Sequence, residues 1–150
     1  DEAGRLIKVE DPLKISVSYG YDKAGNKLYM VEGRGKITEY TYGDFGILKN
    51  TTNADQKSIQ YSYDLAGNVA AVIDRNGNHI LYTYDNRNLL VDRTVQETND
   101  TISYSYDEVG NRIKMTDESD SSVYSYDENN QLESIKKDGA LQISYTYDVL

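Results

Sequence analysis

Cysteine and tryptophan are absent from this 150-residue chain, and proline, phenylalanine and histidine occur once each, as Pro12, Phe45 and His79. Without cysteine there is no disulfide, no thiolate metal site and no thiol nucleophile. No apolar run is long enough to cross a membrane as a helix, and no basic-then-apolar stretch reads as a signal peptide. Positive charge is also short: 16 Lys and Arg stand against 25 Asp and Glu, a net charge of −9. Nucleic-acid affinity comes chiefly from clustered cations, so a phosphate-neutralising role is excluded and an acidic partner surface is disfavoured. The apolar share of 38% allows a core, though a thin one.

Tyrosine is what the chain does have, with 15 copies. Each ring carries a hydroxyl that seeks a partner, which suits half-buried surfaces. Fourteen of them fall in pairs separated by one residue: Tyr19/Tyr21, Tyr40/Tyr42, Tyr61/Tyr63, Tyr82/Tyr84, Tyr104/Tyr106, Tyr124/Tyr126 and Tyr145/Tyr147. Successive pairs are 21, 21, 21, 22, 20 and 21 residues apart, the mark of a repeat protein.

Each pair leads into a turn signature. Its clearest copies are Tyr21-Asp22-Lys23-Ala24-Gly25-Asn26, Tyr63-Asp64-Leu65-Ala66-Gly67-Asn68 and Tyr106-Asp107-Glu108-Val109-Gly110-Asn111. The aspartate can accept the backbone N–H two residues on, and the glycine supplies a positive φ. After Asp85 and Asp127 the glycine is replaced by Asn88 and Asn130, the residue that best tolerates the left-handed region. In the second repeat Gly43-Asp44-Phe45-Gly46 displaces the aspartate, and the one 22-residue step, after Asn88-Leu89-Leu90, predicts a bulge or a longer loop.

Ahead of the tyrosines the alternation continues through Ile15, Val17, Ile59, Ile80, Ile102, Leu141 and Ile143, with Ser and Thr between them. That is a strand covered on one face. A second strand follows the turn, with Val9, Met30, Val72, Met115 or Ile135 eight residues past the aspartate. It ends in a second turn, such as Asp74-Arg75-Asn76-Gly77-Asn78 or Lys137-Asp138-Gly139-Ala140, where Asn-Gly and Asp-Gly favour tight hairpins. The reading is an all-β array of antiparallel hairpins, about seven repeats over residues 1–150, in one long meander sheet that twists and coils. Asp1-Glu2-Ala3-Gly4 and Tyr147-Asp148-Val149-Leu150 both stand inside a repeat, so a piece of a longer array is expected.

Y-D-x-x-G-N recurring in this register resembles the YD repeats of the RHS family over essentially the whole chain. The resemblance implies a β-sheet spiralling into a hollow shell that encloses a toxic segment, in a secreted or cell-surface, cell-wall-associated protein of bacterial type. It implies as partners the remainder of a parent array and an enclosed segment. The core cleavage pattern of some members is missing; Asp11-Pro12-Leu13 reads as a turn or edge feature, since proline cannot donate to a ladder.

No catalytic, cofactor or metal site is read. Asp74–Asn78 lacks the bidentate glutamate of a calcium loop and is taken as a hairpin turn. Asp117-Glu118-Ser119-Asp120 is a solvated turn, and Gly33-Arg34-Gly35-Lys36 has no following helix to make a phosphate site. His79 has no nucleophile elbow to serve. The expected structural positions are the turn residues named above and the fourteen paired tyrosines. The alternative from another class is a glycan-binding or adhesive array, with tyrosines stacking on sugars, and self-association through sheet edges is the further expectation.

Overall fold

The structure, a computed structural model, describes residues 1–148, so Val149 and Leu150 of the last expected turn lie outside the described residues. The strands are β1 (Lys8–Glu10), β2 (Ser16–Tyr21), β3 (Lys27–Val31), β4 (Ile37–Tyr42), β5 (Leu48–Thr52), β6 (Ser58–Tyr63) and β7 (Val69–Ile73). They continue as β8 (His79–Tyr84), β9 (Leu90–Val95), β10 (Asp100–Tyr106), β11 (Arg112–Thr116), β12 (Ser121–Tyr126), β13 (Leu132–Lys137) and β14 (Ala140–Ser144). Among the described residues one short 3₁₀ turn, Asp44–Gly46, is the only helical element. The fourteen strands follow sequence order in one antiparallel sheet, the hairpin meander expected from the repeat.

By compactness the chain divides into two units, Asp1–Tyr63 with Ala71–Asn78, and Asp64–Ala70 with the chain from His79 onward. In the first, directly opposed residues chain Val9 to Val17, Tyr19 to Met30 and Thr38, and Tyr40 to Thr51 and Ile59. Opposed residues share a face, so these form one aromatic and aliphatic face. Its reverse carries Gly20, Tyr29, Glu39, Thr52 and Ser58 in register. In the second unit the corresponding face runs through Tyr82, Arg93 and Ile102, then through Tyr104, Met115 and Ser122, and through Tyr124, Ile135 and Ile143. The residue eight past the turn aspartate therefore lies opposite the first tyrosine of the pair in Tyr19–Met30, Tyr104–Met115 and Tyr124–Ile135.

The thin core allowed by composition is not there. Among the described residues no hydrophobic side chain is buried, and only Ser122, at 9% exposure, falls in the buried range. A single sheet is one layer, and a hydrophobic core needs two. Most side chains on the tyrosine face are half-covered by neighbours in the sheet, while Ile7, Val9, Ile15 and Ile143 remain open.

A bulge interrupts the ladder beside the second tyrosine of five pairs, between Gly20/Tyr21, Thr41/Tyr42, Thr83/Tyr84, Ser105/Tyr106 and Ser125/Tyr126. The bulge near Asn88 is thus the rule of the repeat. Nor is there a longer loop in the 22-residue step: the connection from Val95 to Asp100 has four residues, and the extra residue lengthens β9 and β10 to six and seven.

Candidate functional site

The site is the row of turns and the tyrosines that enter them. In the first full turn the Asp22 N–H donates to the Asn26 carbonyl (2.9 Å) and the Gly25 N–H to the Asp22 carbonyl (3.2 Å). The Asp22 carboxylate holds the other side, accepting the Asn26 N–H on Oδ1 (2.8 Å) and the Asn26 amide on Oδ2 (2.9 Å). Asp64 and Asp107 repeat this with Asn68 and Asn111, and each also accepts the N–H two residues on. Gly25, Gly67 and Gly110 stand at φ of 94°, 88° and 98°, which an L side chain resists. At Asp85 and Asp127 the left-handed position is held by Asn88 and Asn130, at φ of 62° and 60°.

The Asn26 amide leads in holding the Asp22 carboxyl below its ordinary range, and Asn68 does the same for Asp64. For Asp85 the Leu89 backbone N–H is the main cause. Around Asp107 desolvation is the largest single influence and pushes upward, but the hydrogen bonds from Asn111, Gly110 and Val109 together outweigh it and the net displacement is downward. A carboxylate collecting several N–H groups favours its ionised form.

The second tyrosine of every pair reaches back to the repeat before it. Its hydroxyl donates to the backbone carbonyl of the fifth residue after the preceding turn's first residue. The bonds are Tyr21 to Leu6 (2.8 Å), Tyr42 to Lys27 (2.9 Å), Tyr63 to Leu48 (2.8 Å) and Tyr84 to Val69 (2.9 Å). Tyr106 to Leu90 (2.9 Å), Tyr126 to Arg112 (3.0 Å) and Tyr147 to Leu132 (2.7 Å) complete the series. The need is local: β3 pairs with β4 only through Tyr29–Glu39, Met30–Thr38 and Val31–Ile37, leaving Lys27 beyond the ladder. The phenol takes the place of the missing main-chain donor, as half-buried carbonyls require. Burial raises the phenols of Tyr63, Tyr84 and Tyr106 above their ordinary range.

That fifth residue escaped the sequence reading. Where it is basic its side chain lies between first tyrosines of successive repeats. Lys27 Nζ stands 5.9 Å from the Tyr19 ring and 4.5 Å from Tyr40, and the Arg112 guanidinium 5.9 Å from Tyr104 and 4.7 Å from Tyr124. These are cation–π distances. The other occupants are Leu6, Leu48, Val69, Leu90 and Leu132, so a regular aliphatic-or-basic position was the available signal.

Neighbouring turns are also joined directly. Arg5 Nη1 donates to the Asp22 carbonyl (2.8 Å) and Arg87 Nη1 to that of Asp107 (2.7 Å). The Asn68 amide donates to Asn88 Oδ1 (2.9 Å) and Asn111 to Asn130 Oδ1 (3.1 Å), so those asparagines provide an acceptor that glycine could not. At Gly46 an added Cβ would meet Asn26 Oδ1 at 2.8 Å.

The second turns differ from expectation. Asp74–Asn78 is not a two-residue Asn-Gly hairpin: the Asp74 N–H donates to the Asn78 carbonyl and Gly77 carries the positive φ of 88°, the same five-residue geometry as after the tyrosines. Turns from Asp11, Glu32 and Asn53 share it. Pro12 occupies the second position, where no donor is called for. Both carboxylate oxygens of Asp74 are taken by Asn76 and Asn78. Only Asp138-Gly139, at φ of 48° and 82°, makes a two-residue hairpin of the expected kind.

The fifteenth tyrosine, Tyr29, lies directly across from Gly20, and an added Cβ on Gly20 would come within 2.2 Å of its ring. The aromatic covers the one pair whose middle residue has no side chain. His79 Nδ1 is 2.8 Å from Glu97 Oε1, and both are substantially exposed. Asp117 accepts from Ser119 and Asp120, and Asp120 pairs with Lys137 at 2.5 Å.

The family model described as teneurin YD-shell matches residues 1–147. No curated protein sequence is matched. Among solved structures, TcdB2–TccC3 without its hypervariable C-terminal region is similar with a TM-score of 0.70 at 21% identity, covering 81% of this chain and 7% of that one. A Photorhabdus luminescens Tc holotoxin pore is similar with a TM-score of 0.67, at the same identity and the same coverage. At this identity the likeness is one of fold, and the chain spans a small fraction of the length of these structures.

Proposed function

Since the chain belongs to the teneurin YD-shell family, we propose that it is a stretch of β-sheet wall in a longer secreted or cell-surface protein of bacterial type, where repeats like these enclose a toxin or effector segment. The observation that carries this reading is the unbroken series of seven tyrosine-to-carbonyl bonds, one per repeat, which ties each hairpin to the one before it. A wall needs continuity between neighbours, and a repeat array supplies it by nearest-neighbour contacts. The open tyrosine face calls for cover, which the remainder of a parent array and an enclosed segment would provide over most of its length.

In this role the turn residues Asp22, Gly25, Asp64, Gly67, Asp107 and Gly110 set the hairpins and the paired tyrosines knit them, with no chemistry of the chain's own. The engagement of the second tyrosines by backbone, and of Tyr40 and Tyr124 by cations, favours packing over sugar stacking. The test is limited proteolysis of the full-length protein that carries these repeats. The segment beyond the array should be protected, and should become cleavable when Tyr63, Tyr84 and Tyr106 are changed together to alanine. Cleavage of that segment as fast in the unaltered protein as in isolation would refute enclosure. Binding to cell-wall glycan abolished by Tyr61→Ala with the fold intact would favour the adhesive reading instead.

A further inference from the structure

The second repeat breaks the turn rule, and it does so by presenting an aromatic. Gly43 occupies the aspartate position, its N–H donating to the Ile47 carbonyl (2.8 Å), so no carboxylate anchors the turn. Phe45 and Gly46 then stand consecutively in the left-handed region, at φ of 60° and 74°. A bulky residue there is a conformational outlier, and such outliers concentrate at functional positions. The Phe45 side chain is fully exposed, at 101%. It forms one side of a shallow recess of about 320 Å³, lined also by Asp44, Ile47, Leu48, Lys49, Tyr61 and Tyr63. Neither Asp44 nor Lys49 forms an ion pair among the described residues.

We propose that this patch is a two-fold docking surface for a second copy of the chain, in which Phe45 of each copy enters the other's recess while Asp44 meets Lys49 across the axis. An isologous interface requires one patch that carries both halves of a complementary contact. A projecting ring next to an apolar hollow, and an acid next to a base, are two such halves on one turn. Aromatic anchors in apolar hollows carry most of the energy of protein interfaces, and opposed charges fix their register.

The test is sedimentation equilibrium of the intact chain, with circular dichroism confirming that each variant is folded. The unaltered chain should dimerise. Phe45→Ser should weaken the dissociation constant roughly tenfold or more. Leu65→Ser, an equally exposed apolar side chain in a regular turn, should leave it unchanged. Asp44→Lys and Lys49→Glu should each be monomeric alone and form a heterodimer when mixed, because only that mixture restores both charge pairs. The proposal is overturned if the unaltered chain is monomeric, or if Phe45→Ser and Leu65→Ser act alike. It is also overturned if association survives Phe45→Ser and disappears on Val9→Pro, which would make it pairing through the β1 edge. Failure to dimerise leaves the wall reading untouched, since that rests on protection of the enclosed segment.

Discussion

Apart from the turn at residues 43–47, the turns after the tyrosine pairs and the turns at the other ends of the strands share one five-residue geometry in the first half of the chain, yet only the former keep it in the second. Asp85, Asp107 and Asp127 still close on Leu89, Asn111 and Gln131. The alternate connections become a four-residue loop after Val95, a four-residue turn closed between Asp117 and Asp120, and the two-residue Asp138-Gly139 hairpin. The difference teaches what constrains a turn here. A turn after a tyrosine pair must deliver the carbonyl five residues on to the hydroxyl of the next repeat. The alternate turns serve no such bond, and any loop that reverses the chain suffices.

Substitutions can break that comparison. The largest effect is expected from Tyr106→Ala, which removes both ring and hydroxyl and should cost about 2 kcal/mol in chemical denaturation. Next, Gly67→Ala should cost about 1.5 kcal/mol through the left-handed φ it must keep. Asn88→Gly should be near neutral, because relief of its φ offsets loss of the Asn68 bond. Separating the two tyrosine rows, Tyr63→Phe should cost about 1 kcal/mol by leaving the Leu48 carbonyl unpartnered, while Tyr61→Phe should change the denaturation midpoint little. Equal losses in the two rows would refute the carbonyl bond as the reason the tyrosines are paired. Smaller still, Lys23→Pro copies Pro12 into a turn after a tyrosine pair and should raise stability by about 0.5 kcal/mol if the two turn types are equivalent.

Acid provides the last comparison. The carboxyls of Asp22, Asp64 and Asp85 lie below their ordinary range in the fold, so they bind protons more readily when the chain unfolds. Their contribution is present at neutral pH and is lost as pH falls through the lowered folded values. In the alternate turn at residue 53 an uncharged asparagine accepts the Asp55 and Lys57 N–H groups in the same way. Asp64→Asn should therefore keep the two backbone bonds but lose the Asn68 amide bond to Oδ2, lowering the melting temperature at pH 7 and shrinking its decline on acidification. An unchanged acid limb would show that the turn carboxylates do not govern it.

The tyrosine period, the Asp and Gly of the turns and the paired-strand order are legible in the sequence because each needs a particular side chain or an absent one. The carbonyl that receives each tyrosine is not, because a backbone acceptor imposes no single letter, and the aliphatic or basic residue kept at that position reads as ordinary strand. The half-repeat of alternate turns is hidden for a related reason: Asp11, Glu32, Asn53 and Asp74 can all begin the same turn, so the eye finds no common letter. Phe45 was visible as a departure, but its exposure beside Leu48 and Tyr61 depends on two successive left-handed residues that the letters alone do not announce. The missing core follows from half-covered side chains, which composition counts as if they were buried.

The tyrosine bond also has a direction. Each hydroxyl looks toward the amino terminus, to a carbonyl that the ribosome has already released. A growing chain can therefore close one link at a time in the order of its synthesis, without waiting for a distant partner. Shortening from the two ends leaves different groups to water: trimming the carboxyl-terminal side frees a main-chain oxygen at the new boundary, and trimming the amino-terminal side frees a phenol.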